Sequence, residues 1–361
     1  MKNIVLIIDS LIGGGAENMN VRLAELFVEK KYTVHLITLK NIINFDINTK
    51  VNLVTLNYEK KYFSVVNKLI YAKKLENELE NIQVNYGVID FVLGSLGLAH
   101  DLMDKINKKN FFYVLHGVTT IPKLSNKRGV SKYFKKYKLI KLYTNKNIIC
   151  VSDGVKDDIL TLPIKPNSIQ TIYNFFDFEQ ITQLANITIE RSLPTNYIVH
   201  VGRFAKVKRH DLMIHALSLI KDKNLFLILL GDGEEKENIV KLIHKLNLSN
   251  RVIILGFQKN PYPIIRNAQA LVLSSDNEGF GNVLVESLIL NTTAISTNCP
   301  VGPKEILGNN YKQCLAKMND EKSLAECIEN NLKNPPRINR DELSKFNKNT
   351  VIQQYENLFI P

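Results

Sequence analysis

Short apolar runs alternate along this chain with stretches of helical periodicity, and that alternation limits what it can fold into. The first series reads NIVLII, the helical AENMNVRLAELFVEK, TVHLITL, VNLVTL, the helical SVVNKLIYAKKLENELE, GVIDFVLG, FFYVLHG and NIICVS. A strand buried on both faces appears as a short continuous apolar run, whereas a helix places apolar residues three and four apart. Strands that alternate with helices imply a parallel sheet covered on both faces. A second series follows TIYNFFDF, with strands YIVHVG, LFLILLG, RVIILG, ALVLSS and TAISTN. The two series share an architecture but not residues, so the chain reads as a pair of α/β domains with a boundary near Asp177 to Leu193.

At 361 residues there is ample chain for two cores. No apolar segment approaches the roughly 20 residues needed to cross a bilayer. The opening MKNIVLIIDS has an apolar run cut short by Asp9 and no small-residue cleavage site after it, so it reads as a first strand. Cys150, Cys299, Cys314 and Cys327 lack CxxC spacing and a nearby histidine pattern, which suggests neither zinc nor a disulfide framework and fits a reduced cytosolic setting. The tail KFNKNTVIQQYENLF follows the breaker NPPR and is helical by pattern, with Phe346, Val351, Tyr355 and Leu358 approximating one stripe.

The formal net charge of +12 is concentrated in one place. Between Lys105 and Ser152 there are twelve Lys or Arg residues and no Asp or Glu. Within that stretch, the segment 123–146 interleaves Lys132, Lys135, Lys136 and Lys138 with Tyr133, Phe134 and Tyr137. Such a segment suits an anionic membrane surface, although a solvated helix face would read the same way. No recognised nucleic-acid motif accompanies the charge, so nucleic acid is not expected as a partner.

The stretch NEGFGNVLVE, Asn277 to Glu286, places two carboxylates around a glycine-bearing turn directly after the strand ALVLSS. As one helix it would hold Glu278 and Glu286 about 12 Å apart, at roughly 1.5 Å per residue. With the turn open, Glu278 lies in the loop and Glu286 on the following helix, so both can border one crevice. The amides of Gly281, Asn282 and Val283 at the helix start would offer donors to a phosphate. In open α/β sheets the ligand crevice lies at the carboxyl ends of the strands. The same position is held by Gly202, Arg203 and Lys208 in VGRFAKVKRH, by His116 in VLHG and by Asp232 in LGDGEE. Taken singly, the two cations could be surface charges, His116 a structural histidine and Asp232 a turn or cap residue. Gly13, Gly14 and Gly15 sit between the first strand and its helix, where glycines allow close ligand approach. A dinucleotide fingerprint is not met there: Asn18 replaces the third glycine and the second strand, LITLK, ends without an acid.

GGGAE, VGRFAKVK, LGDG, NEGFGNVLVE and NCPVGPKEIL, in this order, resemble the retaining family 4 glycosyltransferases (glycosyl transferases group 1), of the type that builds bacterial surface polysaccharides. The most specific element is E-x7-E, met by Glu278 and Glu286. The resemblance implies a GT-B fold, two Rossmann-like α/β domains whose parallel sheets face across a cleft. It divides the chain into an acceptor-side domain 1–178, a nucleotide-sugar domain 179–340 and a helix 341–361 packing back toward the first. Arg203 and Lys208 would hold the diphosphate, Glu286 the ribose and Glu278 the donor sugar. Phe280 to Asn282 and Val283 would supply backbone donors, and Gly14 and Gly15 would approach the diphosphate. Gly202, Gly231, Gly256 and Phe257 would line the nucleotide, and His116 would stand near the transferred sugar. One departure is Arg209, where the family usually has Gly.

The implied reaction moves a hexosyl unit from a UDP-sugar to a lipid-linked or lipopolysaccharide-type acceptor with retention of configuration. It needs neither metal nor cofactor, the nucleotide sugar being a substrate. The implied location is cytoplasmic, peripheral at the inner face of the membrane. Two other readings stand beside it. A sugar-nucleotide epimerase would also use two facing nucleotide-binding domains, and a non-catalytic membrane-surface scaffold could keep the fold.

Overall fold

The computed structural model describes residues 2–59, 64–120, 124, 129–189, 191–308 and 310–359. The chain forms two compact units: one runs to Phe175 and resumes at Lys348, and the other is Phe176–Asn347.

The first unit is built on seven parallel strands in the order β3-β2-β1-β4-β5-β6-β7. These are β1 (Asn3–Ile8), β2 (Thr33–Thr38), β3 (Val51–Thr55), β4 (Phe91–Ser95), β5 (Phe111–Leu115), β6 (Asn147–Cys150) and β7 (Ser168–Thr171). β1 and β4 are buried along their whole length, which is why both appear as unbroken apolar runs. Helix α1 (Gly15–Glu29) buries Met19, Leu23, Leu26 and Phe27. The following helices are α2 (Ser64–Tyr86), α3 (Gly97–Ile106), α4 (Gly129–Tyr143) and α5 (Asp153–Leu160). β7, with the sequence SIQT, is an edge strand of exposed and half-buried residues and has no apolar run to announce it.

The chain returns to this unit through a last helix, Lys348–Glu356. Tyr32 donates to the Glu356 carboxylate at 2.6 Å, Tyr355 meets Phe27 edge-on at 5.9 Å, and Lys348 pairs with Glu29 at 3.5 Å. Leu358 lies in a turn beyond that helix, and Phe346 is not part of it either, contrary to the pattern read from the sequence. It ends a 3-10 turn, Arg340–Phe346, in the second unit, and the extended backbone of Asn347 (φ −69°, ψ 141°) separates it from the helix.

The second unit opens with helix α6 (Phe178–Leu184) and has six parallel strands in the order β10-β9-β8-β11-β12-β13. They are β8 (Tyr197–Val201), β9 (Phe226–Leu230), β10 (Val252–Gly256), β11 (Ala270–Leu273), β12 (Thr293–Thr297) and the two-residue β13 (Leu315–Ala316). In each unit the strand order reverses beside the first strand, between β1 and β4 and between β8 and β11. Loops leaving the carboxyl ends of such a pair diverge to opposite sides of the sheet and open a crevice.

Candidate functional site

β8 and β11 pair only at Ala270 with Ile198 and Leu271 with Val199, so the two strands part before their carboxyl ends. Beyond β8 the chain passes Gly202 and Arg203, makes a 3-10 turn at Lys206–Lys208 and enters helix α7 (His210–Leu219). The chain leaving β11 crosses Ser274 to Gly281 and enters helix α8 (Asn282–Ile289). These two loops are laced together. The Asp276 amide donates to Val207 O at 2.9 Å, and Ser274 Oγ lies 2.9 Å from the carbonyls of both Lys208 and Arg209.

The central contact joins Lys208 Nζ to Glu278 Oε1 at 2.6 Å, and Ser275 Oγ donates to the same oxygen at 2.6 Å. The Glu278 side chain is only 10% exposed. An ion pair so poorly solvated makes removal of one partner costly, because the other charge stays behind. Arg203 leaves the same strand end but points its Nη2 at Glu234 Oε1, 3.3 Å away, and is 70% exposed. A pair this exposed contributes little and yields readily to a stronger anion. Glu286 occupies the second turn of α8, with Oε1 3.5 Å from the hydroxyl of Tyr262.

The glycines serve close approach. Gly231 has φ 138°, and a Cβ there would fall 2.1 Å from Gly202 O. Its amide donates to Gly256 O at 2.8 Å, so three strand ends meet backbone to backbone. Gly256 takes φ 73° and the next residue, Phe257, is 74% exposed. Gly281 caps α8 at φ 99°, which places Asn282 and Val283 in its first turn. Phe280 is buried, stacked with Phe176 and edge-on to Phe346, so only its backbone can face a ligand. Asp232 accepts from the Gly233 amide at 2.8 Å and pairs with Lys236 at 3.5 Å, which makes it a turn residue.

His200 and His210 lie in the same unit with ring centroids 4.3 Å apart, and Phe204 stacks on His210 at 4.3 Å. Burial pushes His210 down to about 4 and His200 well below its ordinary value. In the other unit burial likewise lowers His35 to about 4. Below about pH 6.5 the unfolded chain gains protons that these folded imidazoles refuse. Stability is therefore complete above that pH and declines toward about pH 4, by up to about 1.4 kcal/mol per pH unit for each histidine. Urea midpoints at pH 7.5 and 5.5, a span that spares most carboxylates, should show the decline; equal midpoints would contradict it.

In the first unit Gly13 has φ 137°, Gly14 caps α1 and Gly15 begins it. His116 follows β5, with Nε2 3.0 Å from Ser95 Oγ, and Ser95 donates to Asn20 Oδ1 at 3.1 Å. Asn20 Nδ2 also approaches His116 Nε2, at 3.5 Å. Burial, with His100 adding to it, holds His116 near about 4 and hence neutral at pH 7. Its loop is fixed by Asp158, which accepts from the amides of Thr119 at 2.7 Å and Thr120 at 3.0 Å and from the Thr120 hydroxyl. His116, Ser95, Asn20, Tyr173, Asn174 and Phe175 line a small recess.

Helix α4 carries the basic aromatic segment and exposes Val130, Tyr133, Phe134 and Tyr137; Lys123 and residues 125–128 lie outside the described residues. Among the described residues no helix is long and apolar enough to cross a membrane, and no three His, Cys, Asp or Glu side chains form a metal set. All four cysteines are buried free thiols.

Sequence reading missed Ser275, Tyr262, Asn20 and Ser95. Ser275 and Ser95 stand at strand carboxyl ends, the signal that singled out Arg203 and His116. Tyr262 and Asn20 lie on helices, where nothing in the sequence marks them.

Residues 13–180 match the family model Glycosyltransferase Family 4, and residues 188–350 match Glycosyl transferases group 1. The chain is 28% identical over 352 residues, 97% of its length and 93% of the relative's, to the N-acetylgalactosamine-N,N'-diacetylbacillosaminyl-diphospho-undecaprenol 4-alpha-N-acetylgalactosaminyltransferase of Campylobacter jejuni. Among solved structures, a glycosyltransferase from Rickettsia africae matches at TM-score 0.79 and 19% identity, covering 99% of this chain and 97% of that one. Anabaena HepE, solved in complex with UDP and glucose, matches at TM-score 0.75 and 17% identity over 99% of each chain. Together the two family models span nearly the whole sequence: the chain belongs to the group 1, family 4 glycosyltransferases, and its two parallel-sheet units are those of the GT-B fold.

Proposed function

We propose that the protein transfers a hexosyl unit from a UDP-sugar to a hydroxyl of a lipid-linked oligosaccharide or a lipopolysaccharide or capsule precursor, keeping the anomeric configuration. The observation that carries this reading is the Lys208–Glu278 pair where β8 and β11 diverge. The difficult event is departure of UDP, which builds negative charge on the diphosphate. Lys208 and Arg203 meet that charge, together with the amides at the start of α8. Such fixed donors need no reorganisation during reaction. Lys208 then moves from one anion to two, and Glu278 is released to accept hydrogen bonds from sugar hydroxyls. Glu286, steadied by Tyr262, accepts from the ribose hydroxyls. Same-face attack, with the leaving phosphate taking the acceptor proton, requires no enzymatic nucleophile. His116, neutral at pH 7, brings no charge to the transferred sugar. The chemistry described asks for no metal.

The relatives support the acceptor class: the Campylobacter protein's name specifies a diphospho-undecaprenol acceptor, and a Staphylococcus aureus relative, 23% identical over 340 residues, is a poly(ribitol-phosphate) alpha-N-acetylglucosaminyltransferase. A panel of UDP- and GDP-sugars with a crude membrane-lipid acceptor, read by free nucleotide, tests the reading. Acceptor-dependent UDP release supports it. Conversion of the donor to a new sugar nucleotide without acceptor would mark an epimerase instead, and no turnover with any donor would favour a scaffold.

The proposal includes a peripheral place on the inner face of the membrane. Tyr133, Phe134 and Tyr137, exposed along α4 beside Lys132, Lys135, Lys136 and Lys138, suit an anionic lipid surface. In liposome sedimentation the protein should partition to anionic vesicles several-fold more than to neutral ones, and less at high salt. Equal partitioning would remove the electrostatic argument.

A further inference from the structure

Arg209 adopts the left-handed conformation, φ 50° and ψ 47°, at the junction between the Lys206–Lys208 turn and α7. Residues bearing a Cβ seldom stay there unless other contacts hold them. At Arg209 the guanidinium makes those contacts. Its Nε lies 3.0 and 3.2 Å from the two Asp211 carboxylate oxygens, and Nη2 is 3.0 Å from one of them. Nη1 reaches Asp276 Oδ1 at 3.0 Å and also bonds the side-chain oxygen of Asn319. Asp276 stands two residues before Glu278, and Asn319 precedes Asp320, the cap of helix α9 (Glu321–Lys333).

We infer that Arg209 is a positioning residue for the donor site. Its side chain staples the loops that follow β8, β11 and β13, and so holds the backbones of Lys208 and Glu278 in register for a nucleoside diphosphate before one arrives. The inference deepens the nucleotide-sugar reading and rests on it. The staple joins the two loops whose side chains form the Lys208–Glu278 pair, and it acts on their backbones, leaving both side chains able to turn to a ligand. A flexible joint at position 209 would leave Lys208 attached to α7 through a residue with many accessible conformations. Ordering that joint would then fall on ligand binding and weaken it. Arg209 and Asp276 are 24% and 40% exposed in their side chains, so the staple lies outside the hydrophobic core and can be cut without opening it.

The test is calorimetric titration of UDP into the full chain and into Arg209→Gly, Arg209→Ala and Asp276→Asn, together with amide hydrogen exchange at Lys208 and Asp276. Arg209→Gly relieves the left-handed backbone while cutting the staple, so a purely conformational role predicts binding as good as wild type or better. The staple predicts instead that both Arg209 variants bind UDP about tenfold more weakly, as expected when preorganisation is lost. Asp276→Asn, which leaves the backbone at 209 untouched, should weaken binding by about threefold, and combining it with Arg209→Gly should cost less than the sum, since both cut one network. Exchange at both amides should quicken while the melting temperature holds. Binding by Arg209→Gly within about twofold of wild type would overturn the inference, as would unchanged exchange. A wild-type protein that gives no heat with UDP would sink the nucleotide reading, and the exchange data would still decide whether the staple exists.

Discussion

Replacing Lys208 by alanine should lower kcat/KM for glycosyl transfer by about 100- to 1,000-fold, the usual cost of deleting one preorganised donor to a developing anion. The argument has two parts. Lys208 is the one cation bonded directly to Glu278 among the described residues, at 2.6 Å, so its ammonium already stands in the donor loop before a diphosphate enters. Arg203, with its exposed partner Glu234, supplies charge to the same strand end but cannot reproduce that position. The substitution also leaves Glu278 with a carboxylate that is 10% exposed and still accepts from Ser275 Oγ. A poorly solvated carboxylate left without its counter-ion also destabilises the loop that carries it, a second source of lost activity. Lys208→Arg keeps the charge and should recover part of the rate, whereas Lys208→Met should behave as alanine does. The double variant Lys208→Ala with Glu278→Gln should melt higher than Lys208→Ala alone, because the stranded charge is gone. Steady-state kinetics with saturating donor decide the matter: an unchanged kcat in Lys208→Ala would end the diphosphate assignment.

The parts of this arrangement that the sequence revealed share one physical property. β1, β4, β8 and β11 are short apolar runs, so hydrophobic composition alone marks them, and glycines in the loops beyond β1 and β8, Gly13 to Gly15 and Gly202, mark where the chain turns. Edge strands escape that logic. β7 reads SIQT and β13 is two residues long, and neither buries enough apolar surface to stand out. Glu278 and Lys208 were legible as strand-end residues, yet their bond was not, since 70 positions separate them and register between β8 and β11 sets their meeting. The tail helix was legible too, but its stripe overran both ends, into Phe346 before Lys348 and Leu358 after Glu356, because Phe at that spacing satisfies the helical period as well as it satisfies the second unit's core. Arg209 shows the same limit at closer range: a left-handed arginine is held by Asp211, Asp276 and Asn319, and only the first of these is near it in sequence.

Gly231→Ala should be the most destabilising of the single-methyl substitutions at the site. Two costs arise independently. At φ 138° an alanine occupies backbone space that residues with a side chain rarely visit, worth about 1–3 kcal/mol. The added Cβ would also lie 2.1 Å from Gly202 O and 2.8 Å from Gly202 C, and both are backbone atoms that cannot rotate away. Gly202 is itself pinned, its amide donating to Leu230 O at 2.9 Å, while the Gly231 amide is committed to Gly256 O at 2.8 Å. Relief therefore requires breaking a strand-end hydrogen bond, and the total should approach about 3–5 kcal/mol. For a unit of this size that lowers the melting temperature by about 10 °C or more. The displacement would act on Gly202 and so on Arg203 and Lys208 just beyond it, which means UDP affinity should fall even at temperatures where the protein stays folded. Gly97→Ala is the matched control: nothing lies within 4 Å of a Cβ there, and the position opens helix α3, where alanine is favoured over glycine. It should melt at or slightly above the wild-type temperature. If Gly231→Ala melted with it, the backbone contact between the loops after β8 and β9 would not be what holds the cation-bearing turn in place, and the geometry assigned to Lys208 would lose its support.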